Sequence, residues 1–209
     1  MNKVFIVGLP RTGTTSISAA LLDLNFKVAH TGFTIETFSQ ADVFSDTPCY
    51  CDYRQLDTLF PGSKFVYLDR DIELWIPSIQ MLLTKMKKNL SPEGHFNPIM
   101  KRCFNTTFEL LTAINPLNTA HLKHCYQKHQ QGVFEYFADR NDFLEINISH
   151  AGSFNALKKF LQIEPDYNNE FPHLNAGRMV TTWKDIKHPT KVNSNAFGPE
   201  RRKFFDYAK

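Results

Sequence analysis

Short apolar runs alternate with stretches of helical spacing along this chain. Lys3-Val4-Phe5-Ile6-Val7 is a brief apolar run ending at Gly8, the pattern of a strand buried on both faces. Beyond the loop that follows, Ile17, Ala20, Leu21 and Leu24 recur at helical spacing, so a helix opens near Thr15 or Ser16. Residues 26–30 read as a second strand and residues 41–44 as a short third. A helix over about 53–60 is stopped by Pro61-Gly62, and Lys64-Phe65-Val66-Tyr67-Leu68 then forms a fourth strand running into Asp69-Arg70-Asp71.

Between residues 72 and 90, Trp75, Ile79, Leu82, Leu83 and Met86 mark a long helix, in which Pro77 demands either the first turn or a kink. Residues 91–118 are broken by Pro92, Gly94, Pro98 and Pro116 and read as a helical lid or insertion facing the substrate. Leu122, Tyr126, Val133 and Phe137 belong to a further long helix, residues 143–148 to a fifth strand, and Phe154, Leu157, Phe160 and Leu161 to a last helix. The tail after Pro172 shows no period. This alternation predicts an α/β fold: a three-layer parallel sheet of about five strands flanked by helices, in one domain spanning residues 1–209.

Composition narrows the possible functions. A net charge of +3, from 24 basic residues without a polybasic run, is too weak a field for nucleic acid but suits an anionic small ligand. No apolar stretch approaches the ~18 residues of a membrane span. Met1-Asn2-Lys3 runs directly into the first strand, without the apolar region and cleavage site of a signal peptide. Cys49 and Cys51 are too close for common zinc or redox spacing, and Cys103 and Cys125 stand apart, so all four read as reduced thiols of a cytoplasmic protein. His121, His124 and His129 do not share one helix face, and no metal site is expected. The 19 phenylalanines imply a well-filled core, with an aromatic acceptor pocket as a lesser use.

The most informative segment is Gly8-Leu9-Pro10-Arg11-Thr12-Gly13-Thr14-Thr15-Ser16, which follows a buried strand and opens a helix. Two glycines let the backbone wrap an anion with its N–H groups inward, and the helix N-terminus adds unpaired donors. Pro10, Arg11, Thr12, Gly13, Thr14, Thr15 and Ser16 are therefore candidate phosphate-binding residues. Thr14 stands where a nucleoside triphosphatase carries its phosphate lysine, and the cation is instead Arg11, inside the loop. Arg70, at the end of the fourth strand, is followed after seven residues by Ser78. Strand ends gather at one sheet edge, so an arginine fork and a hydroxyl there suit a second, separate phosphate.

With these residues the chain resembles the P-loop sulfotransferases, which use 3′-phosphoadenosine 5′-phosphosulfate (PAPS). Pro10-Arg11-Thr12-Gly13-Thr14-Thr15 is similar to their 5′-phosphosulfate loop, and Arg70 with Ser78 to their 3′-phosphate pair. The likeness extends through Phe44-Ser45-Asp46-Thr47-Pro48, Phe60-Pro61-Gly62-Ser63-Lys64-Phe65, Leu144-Glu145-Ile146-Asn147-Ile148-Ser149 and Phe171-Pro172-His173-Leu174-Asn175. It implies a P-loop nucleotide-hydrolase-like fold and metal-free sulfuryl transfer from PAPS to a small-molecule or glycan acceptor, through a hydroxyl. Arg11 would stabilise charge on the leaving oxygen. Asp46 is the first candidate base, or else the cap of a turn before Pro48; His30 is the second. His173 and Asn175 would border the site, while Arg201-Arg202-Lys203 read either as a late phosphate contact or as a solvated charge run. Two other readings stand beside this one: a P-loop kinase or NTPase with Asp69 or Asp71 on Mg²⁺, and a non-catalytic nucleotide-binding relative.

Overall fold

A computed structural model describes residues 2–164, 171 and 182–197 of the chain. Its five strands are β1 (Val4–Ile6), β2 (Val28–Ala29), β3 (Val43–Phe44), β4 (Lys64–Leu68) and β5 (Phe143–Ile146). They form one all-parallel sheet in the order β2-β3-β1-β4-β5. The helices are α1 (Thr14–Asp23), α2 (Ile35–Gln40), α3 (Cys49–Leu59), α4 (Ile72–Leu90), α5 (Pro98–Phe108), α6 (Thr119–Tyr136) and α7 (Ser153–Leu161).

Successive residues of a strand face opposite sides of the sheet, and here both sides are buried. Val4 and Ile6 of β1, with Val66 and Leu68 of β4, pack against Ile17 and Leu21 of α1 and Leu157 of α7. Phe5, Phe65 and Tyr67 point the other way, onto Leu56 of α3 and Val133 of α6. The phenylalanines concentrate on this second face. Phe38 stacks on Phe44 at 4.4 Å, and Phe65 contacts Phe137 at 4.6 Å, which in turn stacks on Phe143 at 4.8 Å. These rings are core. A third apolar cluster joins α4, α5 and α6 through Trp75, Ile79, Phe104, Phe108, Leu122 and Tyr126. Residues 91–118 thus contribute α5, whose Cys103, Phe104 and Phe108 are buried in this third cluster.

Several boundaries differ from the pattern of the sequence. β2 is only Val28–Ala29, and α3 opens at Cys49, with a non-helical turn at Asp52 (φ −113°, ψ 22°). Helix α2 has no counterpart in the apolar spacing, because only Thr37 and Phe38 are buried in its six residues. It is set instead by Thr34, whose hydroxyl caps it by accepting the Thr37 N–H. Pro77 lies in the second turn of α4, and the helix continues through it. Part of the unassigned tail extends the sheet edge. The Val28 N–H donates to the Thr190 carbonyl (3.1 Å), and the Val192 N–H donates back to that of Val28 (2.9 Å). Among the described residues no helix is long and apolar enough to cross a membrane.

Candidate functional site

The loop between β1 and α1 lies at the edge where the strands end. Its two glycines answer different constraints. A Cβ on Gly8 would lie 2.6 Å from the Cβ of Leu68, so the close approach of β1 to β4 requires glycine. Gly13 takes φ +109°, and a Cβ there would lie 2.2 Å from Cδ1 of Ile148. Arg11 is also left-handed, at φ 74°. The loop is braced from two sides: the Thr12 hydroxyl donates to the Leu9 carbonyl (2.7 Å), and the Trp75 indole N–H donates to that of Pro10 (2.9 Å). Gly13 occupies the cap position of α1, and no side chain caps it. The first N–H groups of that helix are thus left for an anion, and Thr14, Thr15 and Ser16 lie in its first turn.

On one flank of the loop, two guanidiniums converge. Arg11 Nε donates to Ser78 Oγ at 2.8 Å, and Arg70 Nη1 donates to the Arg11 carbonyl. Tyr126 fixes the backbone of Arg70. Its hydroxyl accepts the Arg70 N–H (3.0 Å) and donates to Asp69 Oδ1 (2.8 Å), which Gln130 also reaches at 3.1 Å. Burial, and then the Arg11 charge, pull the Arg70 pKa below its usual value, although a guanidinium stays protonated at neutral pH. Among the described residues neither arginine has a carboxylate within ion-pair distance. Two cations without a counter-ion beside an uncapped helix end favour an anion with several negative oxygens.

The other flank carries Asp46 and His30. Asp46, at φ 55°, splits its carboxylate between two tasks. Oδ1 accepts the Thr47 N–H (2.8 Å) and hydroxyl (3.2 Å), while Oδ2 faces Thr14 Oγ1 at 3.5 Å and His30 Nε2 at 3.7 Å. The turn role and the site role thus fall on different oxygens of one side chain. His30 follows β2 and is 13% exposed. Burial lowers its pKa, Asp46 raises it, and Lys191 lowers it further. Trp183, from the tail, lies against the imidazole at 5.2 Å between ring centres. A cleft of ≈ 430 Å³ opens at the same sheet edge beyond β4 and β5, lined by Asp69, Glu145, Asn147, His150 and Ser153 among others.

Pro10, Arg11, Thr12, Gly13, Thr14, Thr15, Ser16, Arg70, Ser78, Asp46 and His30 therefore meet around one loop. His173, Asn175 and Arg201-Arg202-Lys203 lie outside the described residues. The two acids that a magnesium enzyme would need are engaged otherwise: Asp69 by Tyr126 and Gln130, Asp71 as the cap of α4. One potential ligand trio, Cys51, Asp52 and Cys103, lies on α3 and α5, but both Asp52 oxygens accept hydrogen bonds from Arg102 (2.8 and 2.5 Å). Ser18, Ser45, Tyr126 and Trp183 also shape the site and were not singled out from the sequence. Ser45 sits at the end of β3 and Ser18 one turn beyond Thr14, positions that the strand-edge rule and helical spacing would have flagged. Nothing in the polar tail marks Trp183.

The family model described as a sulfotransferase domain matches residues 3–38 and 34–180. No curated protein matches the chain.

Proposed function

The chain belongs to the sulfotransferase-domain family, and from that premise we propose that it moves a sulfuryl group from PAPS to a hydroxyl acceptor by in-line displacement. The observation that carries the reading is the convergence of Arg11, Arg70 and Ser78 beside the uncapped end of α1. A nucleotide with two separate anionic groups matches this donor set, one at the loop and one at Arg70.

In this reading the loop N–H groups with Thr14, Thr15 and Ser16 bind the 5′-phosphosulfate. Arg70 and Ser78 take the 3′-phosphate, with the Ser78 hydroxyl exchanging Arg11 Nε for a phosphate oxygen. The cleft beside Asp69 and Asn147 receives the nucleoside. Arg11 stabilises the charge that develops on the leaving oxygen, and its role is electrostatic because a guanidinium does not donate its proton at neutral pH. His30 and Asp46, on the far side of Thr14, stand where the acceptor hydroxyl must lose its proton. The reaction needs positioning and charge, and no step calls for a metal. The acceptor is a small molecule or glycan, and the four free thiols suit a cytoplasmic setting.

Thermal stabilisation by adenosine 3′,5′-bisphosphate, beside ADP and ATP with and without Mg²⁺, tests the reading. At a hundred times its dissociation constant a ligand stabilises by about 2.7 kcal/mol, a rise in Tm of roughly 5–10 °C for a chain of this size. A shift with the bisphosphate and no metal is expected. A shift with Mg-ATP alone would overturn the proposal.

A further inference from the structure

A chain of hydrogen bonds runs behind the loop, from the first turn of α1 to the imidazole of His30. The Ser18 hydroxyl lies 2.7 Å from the Thr14 carbonyl, 2.7 Å from Ser45 Oγ and 3.4 Å from His30 Nδ1. Ser45 Oγ lies in turn 2.8 Å from His30 Nδ1 and 3.3 Å from the His30 carbonyl. Both serines are fully buried, so no solvent hydrogen enters the count.

Each hydroxyl has one proton to give. A carbonyl only accepts, so the 2.7 Å contact with Thr14 takes the proton of Ser18. The equally short contact between the two serines must then use the proton of Ser45. Ser45 has none left for the imidazole, and its 2.8 Å contact with Nδ1 closes only if Nδ1 carries hydrogen. Neutral His30 is thereby the Nδ1–H tautomer, and Nε2 keeps its lone pair. The other side of the ring agrees. Nε2 faces Asp46 Oδ2 at 3.7 Å, longer than a hydrogen bond, as expected of two acceptors.

We infer that Ser18 and Ser45 are positioning residues that hold His30 as the Nδ1–H tautomer, so that Nε2 receives the acceptor's proton. Only the proton's origin rests on the proposed transfer reaction; the tautomer stands on the hydrogen-bond count. As the acceptor oxygen bonds to sulfur, its proton passes to Nε2, and the bridging S–O bond breaks with its electron pair leaving on the bisphosphate. The imidazolium keeps its Nδ1–H on Ser45 and gains Asp46 Oδ2 as the partner of its new N–H. Because the count begins at the Thr14 carbonyl, the base is referenced to the helix that opens the phosphate loop. A single scaffold then orients both donor and base.

The deciding measurement is the side-chain ¹⁵N spectrum of the whole chain at neutral pH, with the His30 signals assigned by their loss in His30→Asn. Nδ1 should resonate as a protonated, pyrrole-like nitrogen and Nε2 as an unprotonated one, the reverse of the tautomer that free histidine prefers. In Ser45→Ala the preference should relax or invert, and Ser45→Thr should restore it. An Nε2–H tautomer in the unmodified chain overturns the inference, whether or not the variants fold. Ser18→Ala provides a second variant, in which Ser45 can rotate its proton towards Nδ1. With an accepted substrate, Ser45→Ala should lower kcat by roughly a hundredfold, the low end of a general base's contribution, and leave bisphosphate binding unchanged. Its pH–rate profile should shift at the limb set by His30, whose ring faces Asp46, Lys191 and Trp183. A wild-type kcat and pH profile in that variant would remove the catalytic half of the inference. Correct tautomers in a chain that transfers nothing from PAPS would instead refute the proposed function and leave the assignment intact.

Discussion

Arg11 Nε and Ser78 Oγ are joined by a 2.8 Å hydrogen bond across 67 residues of sequence, tying the phosphate loop to the second turn of α4. The cation assigned to the leaving oxygen and the hydroxyl assigned to the 3′-phosphate are therefore neighbours, not independent clamps. With Arg70 Nη1 on the carbonyl of Arg11, three anion-binding groups share one small volume. Either phosphate group, once bound, must rearrange the partner of the other.

Ser78→Ala should therefore weaken adenosine 3′,5′-bisphosphate more than a nucleotide lacking the 3′-phosphate. A hydrogen bond to a charged group contributes about 1.5 kcal/mol or more, so Kd for the bisphosphate should rise roughly tenfold. Titration calorimetry with the bisphosphate and with 5′-AMP separates the effects. An equal loss for both nucleotides would mean that Ser78 acts only by placing Arg11.

Arg11→Ala should abolish sulfuryl transfer while the chain stays folded, because the side chain bonds at the protein surface of the loop and is not core. Arg11→Lys should recover part of kcat, since a point charge replaces the fork without its geometry. Both are read by transfer of labelled sulfate from PAPS. Full turnover in Arg11→Ala would remove the charge-stabilising role.

Tyr126→Phe should loosen Arg70 without touching any ligand. It deletes the acceptor of the Arg70 N–H and a donor to Asp69. The expected result is weaker bisphosphate binding, by a few-fold, with little change in 5′-AMP binding. Unchanged bisphosphate affinity would show that the strand end alone places Arg70.

Gly13→Ala should cost more than a usual glycine replacement. The left-handed backbone accounts for about 1–2 kcal/mol, and the clash with Ile148 adds to it. Ile148→Ala in the same chain relieves the clash but not the dihedral strain, so the double variant should recover only part of the loss. Urea denaturation measures both, and a Gly13→Ala chain of wild-type stability would contradict the loop geometry.

The loop, Arg70 and Ser78 were legible in the sequence because each depends on a local pattern: strand, glycine, cation, helix. The sheet was legible for the same reason, since Val4, Phe5 and Ile6 and then Phe65, Val66 and Tyr67 are continuous apolar runs. What escaped is held by hydrogen bonds that leave no period. Helix α2 is capped by the Thr34 hydroxyl, and the tail is fastened by contacts such as Thr37 Oγ1 to the Asn193 carbonyl (2.8 Å) and Phe33 N–H to that of Ser194 (3.0 Å). The same limit hid Trp183, brought to His30 by that tail. It also hid the relation of Ser18 to Ser45, two hydroxyls 27 residues apart whose meaning lies in which one donates.

The stability of the fold should fall as pH drops below neutrality, and His129 should account for much of the loss. This residue, on α6, turns its ring towards α3, where its Nε2–H donates to the Tyr50 carbonyl (2.8 Å), and its buried Nδ1 has no hydrogen-bond partner among the described residues. Burial pushes its pKa down to about 4, from 6.5 in the unfolded chain. A lowered histidine pKa means that the unfolded state binds the proton first. Its contribution is thus fully present above pH 6.5 and declines as pH falls from there towards 4. At pH 5 the deficit is about 2 kcal/mol from this residue alone, on the scale of 1.36 kcal/mol per pH unit. His30, lowered for the same reason, acts in the same direction. His129→Gln keeps an N–H for the Tyr50 carbonyl and removes the titration, so its urea midpoint should depend less on pH between 7 and 5. Parallel curves for the two proteins would show that His129 takes up its proton at the same pH in the fold as in the unfolded chain, so that its burial costs the fold nothing on acidification.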